Sequence, residues 1–276
     1  MVEVFAPAKV NLTLHVTGRR DDGYHLLDSL VMFADVGDTI TAKSASETSL
    51  NVTGPMASGV PEDTSNLVMR AAAMMGATGA ITLDKRLPRA AGLGGGSSDA
   101  AATFRALSML TGKPIPDETT RLGADVPVCL GGVSARMRGI GEDVTPLHDL
   151  PQLHALLVNP NIPVLTDTVF ANLASTDNTP MPEEIPAGLD AGEMIDWLKT
   201  MRNDLQEAAI AAEPVVEQAF SALEVTPGCL LARMSGSGGT CFGLYADMET
   251  ARSAAGRLAE THPGWWTQAV VLGAAS

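Results

Sequence analysis

The run Pro88-Arg89-Ala90-Ala91-Gly92-Leu93-Gly94-Gly95-Gly96-Ser97-Ser98-Asp99-Ala100-Ala101-Ala102 constrains this chain more than any other, because a glycine-rich loop passes there, without a spacer, into a helix-forming segment. Glycine lacks a Cβ and accepts positive φ, so successive backbone N–H groups can turn toward one set of oxygens. Ser97, Ser98 and Asp99 are favoured N-cap types, and Ala100 to Leu110 is rich in helix formers. The loop is therefore expected to end on the unpaired N–H groups of a helix N-terminus, where anions bind. A flexible Gly/Ser connector is the competing reading, yet linkers seldom break directly into Asp-Ala-Ala-Ala-Thr-Phe-Arg-Ala-Leu. The loop reads as a phosphate cradle.

Two familiar cradles do not fit. A P-loop ends in Gly-Lys-Ser/Thr, whereas here the glycines meet Ser97-Ser98 and the lone Gly-Lys, Gly112-Lys113, precedes Pro114. The dinucleotide fingerprint needs a third glycine where Ser97 stands, and the second glycine loop, Gly236-Ser237-Gly238-Gly239-Thr240-Cys241, also misses that spacing.

With 276 residues, 45% of them hydrophobic, the chain can bury one or two full cores. A boundary at Pro146 to Pro151 suggests two domains, 1–150 and 151–276. Met1 to Lys9 does not resemble a secretory leader, and no run reaches the ~18 apolar residues of a membrane span, so a cytoplasmic location is expected. Cys129, Cys229 and Cys241 have neither disulfide nor zinc spacing. A net charge of −14 argues against nucleic acid and anionic membranes as partners, and no protein partner is evident. Lys85, Arg86 and Arg89 form a local positive cluster before the glycine loop; they suit either a small polyphosphate or solvated strand ends.

The order of elements predicts an α+β fold. Strands are expected at Leu12 to Val16, Ser29 to Ala34, Thr39 to Lys43, Ser49 to Thr53 and Ile81 to Leu83, with a helix over Leu67 to Met75. Val126-Pro127-Val128-Cys129-Leu130 reads as extended chain continuing to Thr145. Beyond the boundary come a strand at Ala155 to Val158, helices over Asp167 to Leu173, Asp204 to Ala212 and Pro214 to Leu223, paired strands about the second glycine loop, a helix over Glu249 to Glu260 and a strand at Trp266 to Leu272. The paired strands point to a hairpin in an antiparallel sheet rather than a βαβ crossover. Ala174 to Pro186 reads as an exposed loop.

Five stretches together resemble the GHMP kinases: Ala6-Pro7-Ala8-Lys9-Val10-Asn11-Leu12, Asp22-Gly23-Tyr24-His25, the glycine loop from Pro88, Leu122-Gly123-Ala124-Asp125-Val126-Pro127-Val128, and Met234-Ser235-Gly236-Ser237-Gly238-Gly239-Thr240. The Asp-Gly-Tyr-His and Gly-Ala-Asp-Val-Pro patterns are similar to those of the 4-diphosphocytidyl-2-C-methyl-D-erythritol kinases within that superfamily. The resemblance implies an N-terminal domain like ribosomal protein S5 and a ferredoxin-like C-terminal antiparallel sheet with helices. It also implies ATP-dependent phosphorylation of the erythritol 2-hydroxyl, a step of the non-mevalonate isoprenoid route.

The same resemblance implies the roles of single residues. Asp125 is expected as general base and Lys9 as the cation beside the transferring phosphate. Taken alone, Asp125 also suits a turn or helix cap and Lys9 a surface lysine. Asn11, two residues on, shares the face of Lys9 in a strand and would orient substrate. Tyr24 and His25 suit a cytosine, offering a stacking face and hydrogen-bonding groups, and Phe170 would complete a stacking sandwich or else belong to the core. The implied ATP contacts are Asn66 and Lys85 on the nucleoside side and Pro88, Arg89, Ala90, Ala91, Gly92, Leu93, Gly94, Gly95, Gly96, Ser97 and Ser98 around the phosphates. Mg²⁺ is expected to arrive with the nucleotide, without a protein metal cage.

There are departures. Ala90 and Ala91 stand where many relatives carry glycine, the segment from Leu110 to Asp125 is short, and Ser65 replaces a commoner Asp. Another GHMP kinase, a non-catalytic nucleotide sensor and an RNA-binding module are the rival readings. Tyr24, His25 and Phe170 count against the first, retention of Lys9 and Asp125 against the second, and charge against the third.

Overall fold

The structure is a computed structural model that describes residues 1–273. Its spine is a single long strand, β3 (His25–Lys43), against which β1 (Val2–Asn11), β2 (His15–Arg19), β5 (Ala80–Asp84) and β6 (Ala135–Gly139) all run antiparallel. β4 (Ser49–Thr53) pairs parallel to β5, and β7 (Asp143–Pro146) closes a hairpin with β6. The C-terminal strands β8 (Leu153–Asn159), β9 (Leu231–Met234), β10 (Cys241–Tyr245) and β11 (Trp266–Leu272) are antiparallel in the order β11-β8-β10-β9. Among the described residues one pairing, Leu272 with Ala34, joins them to β3.

Sequence reading splits β3 into two strands at Asp35 to Asp38, whereas the structure carries the chain straight through. Gly37 makes this possible: a Cβ there would stand 2.2 Å from the carbonyl oxygen of Ala6. Opposite it, Pro7 has no N–H to give the ladder, and the register shifts between Pro7 and Lys9. The freed Lys9 N–H donates at 2.9 Å to Leu93 O, which draws the glycine loop onto β1.

Helices α1 (Leu67–Met75) and α2 (Gly95–Thr111) cover one face of the first sheet, where Ile40, Ile81, Leu83, Phe104 and Leu107 form a buried cluster. In the second half, α4 (Thr166–Ala171), α6 (Gln206–Ala212), α7 (Val215–Glu224) and α8 (Met248–Thr261) pack on the C-terminal strands around Val158, Met234 and Tyr245. A third cluster draws from both sides of residue 150, uniting Val10, Leu30 and Leu93 with Leu153, Leu157, Leu198 and Phe242. The hairpin about the second glycine loop is present as β9 and β10.

Other local expectations are corrected. Leu12 to Val16 is not one strand: β1 ends at Asn11 and β2 begins at His15. Val126–Gly131 is a short helix, α3, rather than extended chain: Pro127 falls in its first turn, where a missing N–H costs nothing, and Gly132 ends it at φ 66°. Sequence reading also passes over α5 (Ala191–Lys199), which Asp190 and Glu193 start with a reciprocal capping box. The loop before α5 is pinned down: Arg136 donates to both oxygens of Asp28, at 2.8 and 2.7 Å, and to the carbonyls of Met181, Pro182 and Glu183.

Candidate active site

The glycine loop delivers what its sequence requires, one step earlier than the serines suggest. α2 begins at Gly95, and its N-cap is Gly94 at φ 61° with no side-chain cap bond. Ser97 and Ser98 lie inside the first turn instead. The first helical hydrogen bond runs from Ser98 N to Gly94 O, so the N–H groups of Gly95, Gly96 and Ser97 precede the ladder and face a cleft. Ser98 is buried and donates its hydroxyl to Pro7 O at 2.8 Å, which ties the helix start to β1.

The second glycine loop supports the first from behind. Thr240 N donates to Ala91 O, and Ser235 Oγ donates to Gly92 O at 2.8 Å while accepting from Asn11 N. A Cβ on Gly92, whose φ is 70°, would come within 2.2 Å of Ser235 O. Only glycine lets the two loops touch in this way.

This cleft, about 540 Å³, is lined by Pro88 to Ser97, Asn66, Lys85 and Asp99, among others. Asn66 caps α1, accepting from Val68 N at 2.9 Å and donating to Pro61 O at 2.7 Å. Arg89 is exposed and donates to Gly59 O. Ala90 holds φ 45°, a left-handed conformation that glycine would adopt without strain. Lys85 does not present a free ammonium: it is buried and donates to Asp38 Oδ2 and, at 2.8 Å, to Asp99 Oδ2. Asp38 in turn accepts the N–H groups of Arg86 and Leu87, so one carboxylate fixes the chain entering the glycine loop. Burial opposes the Lys85 charge, but Asp99 and Asp38 outweigh it and raise its pKa. Burial, helped by Asp38 and opposed by Lys85, pushes the Asp99 carboxyl up to about 7.

A second cleft, about 770 Å³, lies on the other side of Lys9 and Asp125 and is lined by Tyr24, His25, Met137, Asp167 and Phe170. The two clefts share Lys9, Asn11, Ser97, Asp125, Thr166, Gly236 and Ser237. At this seam Lys9 Nζ meets Asp125 Oδ2 at 2.9 Å. Asp125 stands at the N-cap of α3 yet makes no capping bond. Its side chain keeps 34% of its surface exposed, while that of Lys9 keeps 5%. Asn11 donates from Nδ2 to Ser29 Oγ at 2.7 Å, and its Oδ1 has no partner. Thr166 and Ser237 hydroxyls meet at 2.8 Å across the seam.

In this second cleft, His25 and Phe170 are stacked on each other, with ring centroids 4.7 Å apart and planes inclined by 20°. Phe170 is half-buried against the C-terminal core and also lines this cleft. A base between two rings needs centroids about 7 Å apart, twice an aromatic contact. The His25–Phe170 pair must open to admit one. Tyr24 stands beside them, 61% exposed. Burial and, next, Arg19 lower the His25 pKa, which favours the neutral ring as a donor or acceptor.

Sequence reading misses Asp38 and assigns Asp99 only a capping tendency. Neither carries a local signal of its partnership with Lys85, which depends on how β3, β5 and α2 pack. Among the described residues no His, Cys, Asp and Glu side chains gather in threes to hold a metal, and no helix is long and apolar enough to cross a membrane.

Comparison with known proteins agrees with this geometry. Residues 66–142 match the GHMP kinases N terminal domain and residues 187–264 the GHMP kinases C terminal domain. The 4-diphosphocytidyl-2-C-methyl-D-erythritol kinase of Cereibacter sphaeroides is 55% identical over 272 residues, covering 97% of this chain and 98% of its own. That of Dinoroseobacter shibae is 52% identical over 97% of this chain and 94% of its own. A crystal structure of 4-(cytidine 5'-diphospho)-2C-methyl-D-erythritol kinase superposes with a TM-score of 0.79 at 34% identity, covering 99% of this chain and 100% of the other. A homoserine kinase from Cytophaga hutchinsonii, at 19% identity and a TM-score of 0.67, shares the fold. Full-length identity above one half, both domain matches and the two clefts meeting at Lys9 and Asp125 lead to one conclusion: the chain belongs to the 4-diphosphocytidyl-2-C-methyl-D-erythritol kinase family of the GHMP kinases.

Proposed function

We propose that this chain transfers the γ-phosphoryl group of ATP to the 2-hydroxyl of 4-diphosphocytidyl-2-C-methyl-D-erythritol, in the cytoplasm and as a step of isoprenoid precursor synthesis. The observation that carries the proposal is the seam: one cleft built of backbone N–H groups and one lined by aromatic rings meet at a lysine and a carboxylate 2.9 Å apart.

Phosphoryl transfer asks for alignment and charge stabilisation more than for covalent chemistry. The N–H groups of Gly95, Gly96 and Ser97 bind phosphate oxygens at the helix start. The acceptor lies in the other cleft with its cytosine on the aromatic group of Tyr24, His25 and Phe170, which places its hydroxyl toward the seam. Asp125 Oδ takes the hydroxyl proton as the oxygen attacks. Lys9 Nζ stabilises the negative charge shared among the attacking oxygen, the γ-phosphoryl group and Asp125. Asn11 Oδ1, without a partner of its own, orients acceptor or water beside them. The N–H groups of Gly95, Gly96 and Ser97 suit phosphate oxygens, and among the described residues no three His, Cys, Asp or Glu side chains gather to hold a metal. Mg²⁺ would therefore be held chiefly by the polyphosphate and would supply charge neutralisation there.

The test is ADP release from MgATP with 4-diphosphocytidyl-2-C-methyl-D-erythritol, run beside Asp125→Asn. Wild type releases ADP only with the acceptor, and the variant loses about 10² to 10⁴ in kcat. If wild type is inactive with this acceptor, the substrate is wrong; an active variant puts the base elsewhere.

A further inference from the structure

Beneath the glycine loop lies a charge cluster that the transfer step does not use. Asp38 on β3, Lys85 at the exit of β5 and Asp99 in the second turn of α2 are 0%, 4% and 3% exposed. One ammonium serves two carboxylates, and it joins the chain entering the loop to the helix that leaves it.

The two carboxylates are not equivalent. Asp38 has both oxygens satisfied, Oδ2 by Lys85 and Oδ1 by the N–H groups of Arg86 and Leu87. Those donors stabilise its anion. Asp99 receives Lys85 on Oδ2 alone, and its Oδ1 is buried without any partner. A carboxylate left half-satisfied in the interior is the member of the pair that can hold a proton.

Charge counting gives the consequence. With both aspartates ionised the cluster carries −1, and with a proton on Asp99 it carries none. Lys85 and Asp99 form part of the wall of the cleft whose N–H groups face the phosphate site. A polyphosphate placed there raises the cost of the extra negative charge, so anion binding and proton uptake must favour each other.

We propose that Asp99 is a positioning residue of the nucleotide site that takes up a proton as the polyphosphate binds, so that nucleotide affinity is set by whether the Lys85 cluster is neutral or anionic. The inference rests on the glycine-loop cleft being the ATP site. The carboxyl pKa near 7 puts the exchange in the neutral range. The groups facing Asp99 are Lys85 from the β5 exit and Asp38 from β3; Lys9 and Asp125 stand further along the same cleft, from β1 and the start of α3. On the far side of α2 are Arg105 and, from α3, the Cys129 thiol, which burial keeps protonated. α1 packs against α2 with its one charged residue, Arg70, exposed.

The experiment is calorimetric titration of the protein with the magnesium complex of a non-hydrolysable ATP analogue at pH 8, in two buffers of different ionisation enthalpy. At that pH the terminal phosphate is largely ionised, so uptake reports the protein. Wild type is expected to show buffer-dependent heat equivalent to a fraction of a proton taken up per nucleotide. Asp99→Asn is expected to bind with heat independent of buffer. In steady state the wild-type KM for MgATP rises roughly tenfold between pH 6 and 9, the effect of one charge about 10 Å away at an effective dielectric of about 20. The KM of Asp99→Asn stays flat, whereas a purely structural role would leave the variant with the wild-type slope. Buffer-independent heat in wild type overturns the proposal without any variant, as does equal uptake in Asp99→Asn. Absence of any binding heat removes the nucleotide reading of the cleft instead, and the proposal with it.

Discussion

The two clefts that meet at Lys9 and Asp125 are made of different material. The glycine-loop side is backbone: N–H groups at a helix start, two loops locked by Ser235 and Gly92, and a buried ion cluster under the entering strand. The other side is made of side chains, with Tyr24 exposed and His25 resting on Phe170. A phosphate offers the same oxygens in every nucleotide, so it can be met by a surface fixed in advance. A base offers a flat apolar face, and rings that would hold it satisfy one another until it arrives. On the proposed function, the chain thus pairs a preorganised half-site with one that must open.

The largest expected effect lies at the seam itself, where both halves depend on one ammonium. Lys9→Met keeps the length of the side chain and removes its charge. It is expected to lower kcat about 10² to 10³, with either KM moving much less. A change confined to KM for MgATP would assign Lys9 to the preorganised half alone and break the symmetry of the seam.

Next is Gly92→Ala, which attacks the fixed half. Its Cβ would meet Ser235 O at 2.2 Å in a backbone conformation that L residues avoid. A loss of about 3 kcal/mol in unfolding free energy is expected from denaturant titration. In whatever folds, KM for MgATP should rise while that for the acceptor holds. Equal damage to both would mean the halves are not separately built.

The same contrast explains what can be read in the sequence. The glycine loop is legible because its chemistry is local: glycines, serines and a helix start follow one another within a dozen positions. Asp125 and Lys9 emerge through motif resemblance, but their contact depends on a register shift at Pro7 that no spacing announces. Val126 to Leu130 reads as extended because β-branched residues flank a proline, and the helix there is held by tertiary packing instead. Asp190-Ala191-Gly192-Glu193 carries a capping signal that is legible but easily passed over in a polar stretch. Asp38 gives none; it matters only because β3 and β5 pair so that Thr39 lies opposite Asp84. The stacking of His25 on Phe170 is equally hidden, since sequence can nominate two aromatic groups but not show that they close on each other.

Phe170→Ala tests the half that opens. Removing the ring loses a stacking face and also frees His25 from its resting place. A rise of about tenfold in acceptor KM is expected, corresponding to the ~0.5 to 1.5 kcal/mol of an aromatic pair plus its buried area, with KM for MgATP unchanged. A lower acceptor KM would show that opening the His25 stack costs more than the ring contributes.

The smallest effect is also the cleanest probe of preorganisation. Ala90 sits at φ 45° with an exposed methyl group, and its carbonyl accepts Val164 N at 3.3 Å. An alanine in the left-handed region costs about 1 to 2 kcal/mol, and glycine removes that strain. Against this, glycine widens the unfolded ensemble by about 0.5 to 1 kcal/mol. The strain outweighs the entropy, and no buried contact is lost, so Ala90→Gly should stabilise the protein by roughly 0.5 to 1 kcal/mol, about 1 to 4 °C in Tm for a chain of this size. Relief of strain and loss of rigidity then separate by measurement: Tm rises while KM for MgATP increases about twofold, because the loop entering the phosphate site must now be ordered by the nucleotide. A fall in Tm would place Ala90 outside the left-handed region, and a fall in KM would mean that the strained alanine holds the loop away from its binding geometry rather than in it.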